Sequence, residues 1–355
     1  MPYRNFSLGE LLDITGKHTE VVVKETEGGK MVFMEYGARL IGLYPGDDSS
    51  NLLWVYDQLD SSMQANQWMT GGERVWVSPE RSFYYENPRD FEGFHIPAGI
   101  DPGNFRHEGD LMYHNVYSLL NCRANETYDD CETKRRFEVI DDPYATGLPF
   151  VGVKIKDMVS IPAPIDMAAW SLAQIYTCGP DAPGTVFYPV QSGASILGYF
   201  KPIPEDRAGV KDGYARFKID SDAIYKLGIR PEDMRFDNPC KSVYVSPCPT
   251  GDSWFCVIKR SDDMPKNQEE CVDVQKSDPK GPLGAIQSYN NGPGFSVGEK
   301  ISFGEIELQL AKGITIDGIT TSNAMHELLG YRGSSEQVLY LAQTALGLDK
   351  LPELF

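Results

Sequence analysis

The segment GGERVWVSPE, residues 71–80, opens on two glycines, closes on a Pro-Glu pair and alternates in between. As a strand it sends Val75 and Val77 to one face and Arg74, Trp76 and Ser78 to the other. The valine face then belongs to an apolar core. On the opposite face, a Trp beside an Arg is either ordinary packing under an amphipathic cation or one wall of a sugar site.

Outward from this segment, strands of the same kind recur. They are TEVVVKE (19–25), KMVFMEY (30–36), ARLIGLY (38–44), NLLWVY (51–56), VGVKIKDMVSI (151–161), SLAQIYT (171–177), GTVFYPV (184–190), YARFKI (214–219), KSVYVS (241–246), SWFCVIKR (253–260) and KISFGEIELQL (300–310). Turn residues separate them, as in EGGK, PGDDSS, CGPDAPG and NNGPGFSVG. Many short strands with few helical patterns between them predict a mainly β chain, a large antiparallel sandwich with a short C-terminal helix. No composition shift cuts the chain, so residues 1–355 are expected to form a single domain.

Two helices are predicted. SSEQVLYLAQTALG places Ser334 three residues before Gln337, a capping-box spacing, carries Val338, Leu341, Ala342 and Ala345 on one face, and stops at Gly347. SDAIYKLG offers Ser221 or Asp222 as a cap and Gly228 as a stop. Two polar stretches, 201–213 and 259–282, interrupt the strand pattern as surface excursions, the second alternatively as a lid over a site.

The chain carries 51 acidic against 33 basic residues, a formal charge of -18. Such a balance repels phosphate backbones and anionic lipid surfaces, so neither nucleic acid nor a membrane is an expected partner. The N-terminal stretch lacks the basic start and apolar run of a signal peptide, and no window is long enough to span a bilayer. A cytoplasmic location is expected; a secreted or periplasmic one follows if a signal peptide is missing from this chain. Seven cysteines with no CxxC pair are expected to be reduced thiols, the alternative being a hairpin disulfide between Cys122 and Cys131 in an exported protein.

In the late strand, Ile306, Leu308 and Leu310 share one face, and Phe303, Glu305, Glu307 and Gln309 the other. Two residues of strand rise put Glu305 and Glu307 about 7 Å apart. Either this face is solvated, or poor solvation raises the carboxyl pKa values and suits them to proton transfer. Trp170, in PIDMAAWSLAQIY, is a core residue or a platform for the C–H side of a sugar ring. His95, His107 and His114 crowd the region after residue 80, and His326 lies near the end; any of them titrates in the range of a general acid. No HxH, HxxxH or HExxH spacing supports a metal, and no GxSxG, P-loop or GxGxxG occurs, so neither a metal nor a cofactor is expected.

YGARLIGLYPGDDSSNLLWV, GGERVWVSPE, DMAAWSLAQI, FGEIELQL and the tail MHELLGYRGSSEQVLYLAQTALG, in that order, resemble an uncharacterised bacterial branch of the galactose-mutarotase-like (aldose 1-epimerase-like) superfamily. The resemblance spans most of the chain through short motifs. It implies a β-supersandwich with a concave carbohydrate-binding face. It also implies a Glu base in a late E.Q strand, which falls on Glu307, and a His acid in mid-chain. That His does not carry over, because Ala169 and Trp170 stand where the His and an aromatic are expected. His95, His114 or Glu80 is then the displaced acid, Arg74 holds sugar oxygens, Trp76 or Trp170 stacks on the ring, and Glu305 and Gln309 complete the binding face. A mutarotase or epimerase is the activity implied; the alternatives are a carbohydrate-binding protein without turnover and a glycosidase or polysaccharide lyase. The oligomeric state is not specified by the sequence.

Overall fold

Side-chain alternation at 71–80 works only if something covers both faces of the strand, since all six residues of Glu73–Ser78 are buried. The computed structural model describes residues 4–293 and 303–355. Two antiparallel sheets account for nearly all described strands. In the first the order is Val21–Thr26, Gly29–Met34, Arg39–Pro45, Glu73–Ser78, Ala168–Tyr176, Phe303–Lys312, Ile286–Asn290, Tyr225–Ile229 and Ile196–Gly198. The second runs Ala208–Lys211, Tyr214–Ile219, Gly184–Pro189, Cys240–Pro247, Trp254–Arg260, Ile319–Gly333, Phe150–Ile161, Glu126–Val139, Met112–Asn121 and Arg106–His107. The large apolar core lies between them and includes Val75, Val77, Ile306, Leu308 and Leu310 with Val153, Ile155 and Leu328 of the second sheet. Each such side chain contributes about 1.5–3 kcal/mol by leaving water.

The Gly71-Gly72 pair sets where the opening strand enters. Both residues have positive φ, and a Cβ would lie 2.2 Å from the Trp54 carbonyl oxygen at Gly71 and 2.6 Å from that of Leu40 at Gly72. Only glycine lets the chain pass this close to its neighbours. The C-terminal helix Ser335–Leu346 has the expected capping box from Ser334 and Gln337 and ends at left-handed Gly347. It lays Val338, Leu341, Ala342, Ala345 and Leu346 on the outer face of the second sheet.

Several expectations need correction. SDAIYKLG is not a helix: Ser221 has φ 53°, and Tyr225–Ile229 is a strand between Ile286–Asn290 and Ile196–Gly198. The Asn290 side chain accepts from the Asp220 and Ser221 N–H groups, so a tertiary contact uses the donors on which a helix start depends. NLLWVY makes only isolated bridges, Leu53 to Ile175 and Val55 to Gly71. Helix Leu8–Thr15 was not expected, although Ser7 and Glu10 form a complete capping box. Of the two cysteine readings only the alternative fails: Cys122 and Cys131 are free thiols as expected, Cys131 pairing with Tyr117 in the hairpin register while Cys122 lies in the turn. The 259–282 excursion is more than surface, because Met264, Cys271, Asp273 and Gln275 are buried. Part of the NNGPGFSVG turn and residues 300–302 of the late strand lie outside the described residues. No described helix is long and apolar enough to cross a membrane.

Candidate functional site

Sheet register builds the site. Arg74 stands opposite Leu172, Leu172 opposite Glu307, and Glu307 opposite Gln287. One row over, Gln174 faces Glu305, Glu305 faces Tyr289, and Tyr289 faces Lys226. On the other side Trp76 faces Trp170, which faces Gln309. Arg74 and Glu307 are thus two strands apart, about 10 Å of backbone, and both side chains line one cavity.

A cavity of about 480 Å³ opens on this face, in the size range of small-molecule sites. Its lining includes Arg74, Trp76, Glu80, Trp170, Glu305 and Glu307 among the residues anticipated from sequence, together with Trp68, Gln174, Lys226 and Tyr289. The face with the carboxylates is therefore not simply wet. Glu307 is 1% and Glu305 8% exposed.

Each charge on the floor has a defined partner. Arg74 Nη2 donates to Glu305 Oε1 at 2.8 Å, and its guanidinium lies 4.3 Å from the Trp76 ring. Trp170 Nε1 donates to Glu307 Oε2 at 3.0 Å. The Lys226 ammonium is 3.1 Å from the same Glu307 oxygen and 4.0 Å from Glu80 Oε2, and stands 4.5 Å from the Trp170 ring. Burial opposes the Lys226 charge, but Glu307, Glu80 and Asp273 outweigh it and raise its pKa, so this side chain is a fixed cation. Burial lifts Glu307 to about 7, with Glu305 and Glu80 adding to the rise against the pull of Lys226. Glu80 is also raised, by burial first.

The polar atoms left over point to the chemistry. Glu307 Oε1, Arg74 Nε and Nη1 and Gln174 Nε2 are buried and have no hydrogen-bond partner. An unpaired buried polar atom costs about 1–3 kcal/mol, more when charged. A ligand rich in hydroxyl groups supplies both donors and acceptors to such atoms. The indole of Trp76 is less available: it is packed among Trp68, Tyr84 and Trp170 and donates to Asp101.

The histidines do not join this group. His95 is half-buried and bonds the Gly93 carbonyl, while His114 bonds Glu108 from the second sheet; neither lines the cavity. The expectation that one of them stands beside Glu307 is corrected: His114 belongs to strand Met112–Asn121 of the second sheet, and His95 follows Phe94, which lines the cavity while the imidazole does not. His107 likewise bonds Glu20. Gln309 is buried, accepts from Ser78 and is not part of the lining.

His326 is in the sandwich interior instead, 2.9 Å from Asp157. Glu73, Asp157 and His326 bring potential metal-ligand atoms within 4.8 Å of one another, the one such group among the described residues. The Arg135 guanidinium already bonds both carboxylates, Asp157 at 2.7 Å and Glu73 at 2.8 Å, and supplies the cation there. These residues therefore fit an ion-pair network better than a metal centre.

Lys226 was missed because its segment was read as a helix. Strand alternation of Ile224, Lys226 and Gly228 against Tyr225, Leu227 and Ile229 is the signal that would have found it. Tyr289 and Gln174 carried no motif.

No family model matches the chain, and no curated protein does. Among solved structures, a galactose mutarotase-like protein from Lactobacillus casei aligns at TM-score 0.47 and 12% identity over 88% of this chain and 100% of that one. A galactose mutarotase related enzyme from Lactobacillus acidophilus aligns at 0.45 and 9% over 94% and 100%.

Proposed function

We infer that the cavity binds a carbohydrate and interconverts its anomers without a cofactor. The observation that carries this reading is Glu307: a carboxylate poised near neutrality, one oxygen held by Trp170 and Lys226 and the other unpartnered in the cavity. Glu307 Oε1 takes the proton of the anomeric hydroxyl. Glu80, whose raised pKa favours the protonated form, delivers a proton to the ring oxygen. The C1–O5 bond breaks, the free aldehyde rotates, and reclosure with the reverse proton transfers gives the other anomer. Arg74 and Gln174 hold hydroxyl groups with their unpartnered N–H groups, and Trp170 walls the ring.

A second reading, binding without turnover, is favoured by one contact. The Lys226 ammonium at 3.1 Å neutralises Glu307 and weakens it as a base. Polarimetry and exchange NMR on a panel of aldoses separate the two. Acceleration of anomer exchange that is lost in Glu307→Gln supports the enzyme; saturable binding with no acceleration supports the binding protein. Shortening of a polysaccharide would instead point to bond cleavage.

A further inference from the structure

Two cations of the cavity wall are not used by the proton-transfer chemistry. Lys201 and Lys276 both line the cavity, and both are exposed. They come from the two polar excursions, 201–213 and 259–282, that interrupt the strand pattern. Hydrogen bonds join the second segment to the residues just ahead of the first, and those residues to the floor. Ser277 N–H donates to the Tyr199 carbonyl at 2.8 Å, and Ser277 Oγ to the Gly198 carbonyl at 2.6 Å. Tyr199 N–H in turn donates to the carbonyl of Lys226 at 2.9 Å. Lys201, two residues past Tyr199, and Lys276, one before Ser277, are thereby carried on one anchored rim above Lys226.

Charge accounting separates these two from the other lining cations. Arg74 is matched by Glu305, and Lys226 by Glu307 and Glu80. Neither Lys201 nor Lys276 forms an ion pair among the described residues: Lys201 lies 4.2 Å from the Tyr225 ring, and Lys276 donates to the Phe91 carbonyl at 3.3 Å. Among the described residues the lining thus has four cations, Arg74, Lys201, Lys226 and Lys276, against three carboxylates, Glu80, Glu305 and Glu307. The raised pKa values of Glu80 and Glu307 shift the balance further toward positive. In a chain of formal charge -18, an unmatched pair of ammonium groups at a cavity mouth runs against the prevailing field. It draws in an anion that the rest of the surface repels.

We propose that the cavity selects an anionic sugar, one bearing a carboxylate or phosphate at the end away from its anomeric carbon, with Lys201 and Lys276 gripping the anionic group at the rim. This rests on the carbohydrate reading above and names its substrate class. With the anion at the rim, the anomeric end reaches down to Glu307. Two exposed ion pairs support a preference on the order of tenfold over the neutral sugar.

The test is calorimetric titration of the full chain with glucose and galactose, their uronates and their 6-phosphates. Each titration is run at low ionic strength and again at about 0.15 M salt, where exposed charges are screened beyond about 8 Å. Tighter binding of a uronate or a 6-phosphate than of the parent hexose, weakened by salt and abolished as a ratio in the double variant Lys201→Gln/Lys276→Gln, supports the proposal. Which of the two anions gains identifies the source of the charge. Equal or tighter binding of the neutral hexoses overturns the proposal and leaves the carbohydrate reading standing. An anion preference that survives in the double variant also overturns it. Binding of no sugar at all overturns both.

Discussion

The two faces of the Glu73–Ser78 strand carry buried charge in opposite ways. Toward the sandwich interior, Glu73 joins Arg135, Asp157, His326, Lys259 and Ser171. Arg135 donates to Glu73, to Asp157 and to the Ala38 carbonyl, Lys259 donates to Ser171 Oγ at 2.7 Å, and Ser171 donates to Glu73 at 2.9 Å. Of these six side chains only the His326 ring has an unpartnered polar atom. Toward the cavity, Arg74 and Glu307 keep three such atoms between them. A buried network that satisfies its own members ties two sheets together, whereas one that leaves polar atoms without hydrogen bonds carries a cost that, under the function proposed above, a ligand relieves.

The largest effect expected on this contrast is at Arg135. Arg135→Met leaves Glu73 and Asp157 buried without their shared cation and should cost about 3–5 kcal/mol, read from the denaturant midpoint. A cost near zero would mean that the interior network does not hold the sheets together. On the cavity face the response should be the reverse in kind. Glu307→Gln should lower anomer exchange by about 100-fold or more while moving the midpoint far less than Arg135→Met does. If the two variants lose stability equally, the functional distinction between the faces fails.

Titration sharpens the same contrast. Anomer exchange should fall about tenfold per pH unit below about 7 as Glu307 takes up its proton, a limb that Glu307→Gln removes. The stability consequence has a definite sign. Folding raises this carboxyl from 4.5 to about 7, so the folded state keeps a proton that the unfolded chain releases between those values. Stability attributable to Glu307 is therefore full below about pH 4.5 and is lost as pH rises to about 7. Thermal melts of the wild type and Glu307→Gln across that window should differ in slope accordingly. The smallest effect is at Ser171→Ala, which removes the hydroxyl linking Lys259 to Glu73 and should cost about 1–2 kcal/mol without altering sugar binding.

Much of the site was accessible from local pattern. Alternation within 71–80 and within 303–310 separates Val75, Val77, Ile306 and Leu308 from Arg74, Trp76, Glu305 and Glu307, because side-chain direction along a strand has a period of two whatever the strand pairs with. The missing mid-chain His was equally readable, and with it the need for another acid. Which of the three candidates, His95, His114 or Glu80, shares the cavity with Glu307 was not. Glu80 and Lys226 are 146 residues apart in number and come within 4.0 Å only because Tyr225–Ile229 inserts beside Ile286–Asn290.

The sequence by itself therefore determined the mainly β class, the helix bounded by Ser334 and Gly347, and the face on which Glu307 stands. All three follow from periodicity and capping within a few residues of chain. Tertiary structure alone decided that SDAIYKLG is a strand, that His95 and His114 lie away from Glu307, and that Glu73 and Glu307 have different partners on opposite faces of one sheet. Those outcomes depend on strand order and register, which are set by contacts between segments far apart in the chain and have no local signature.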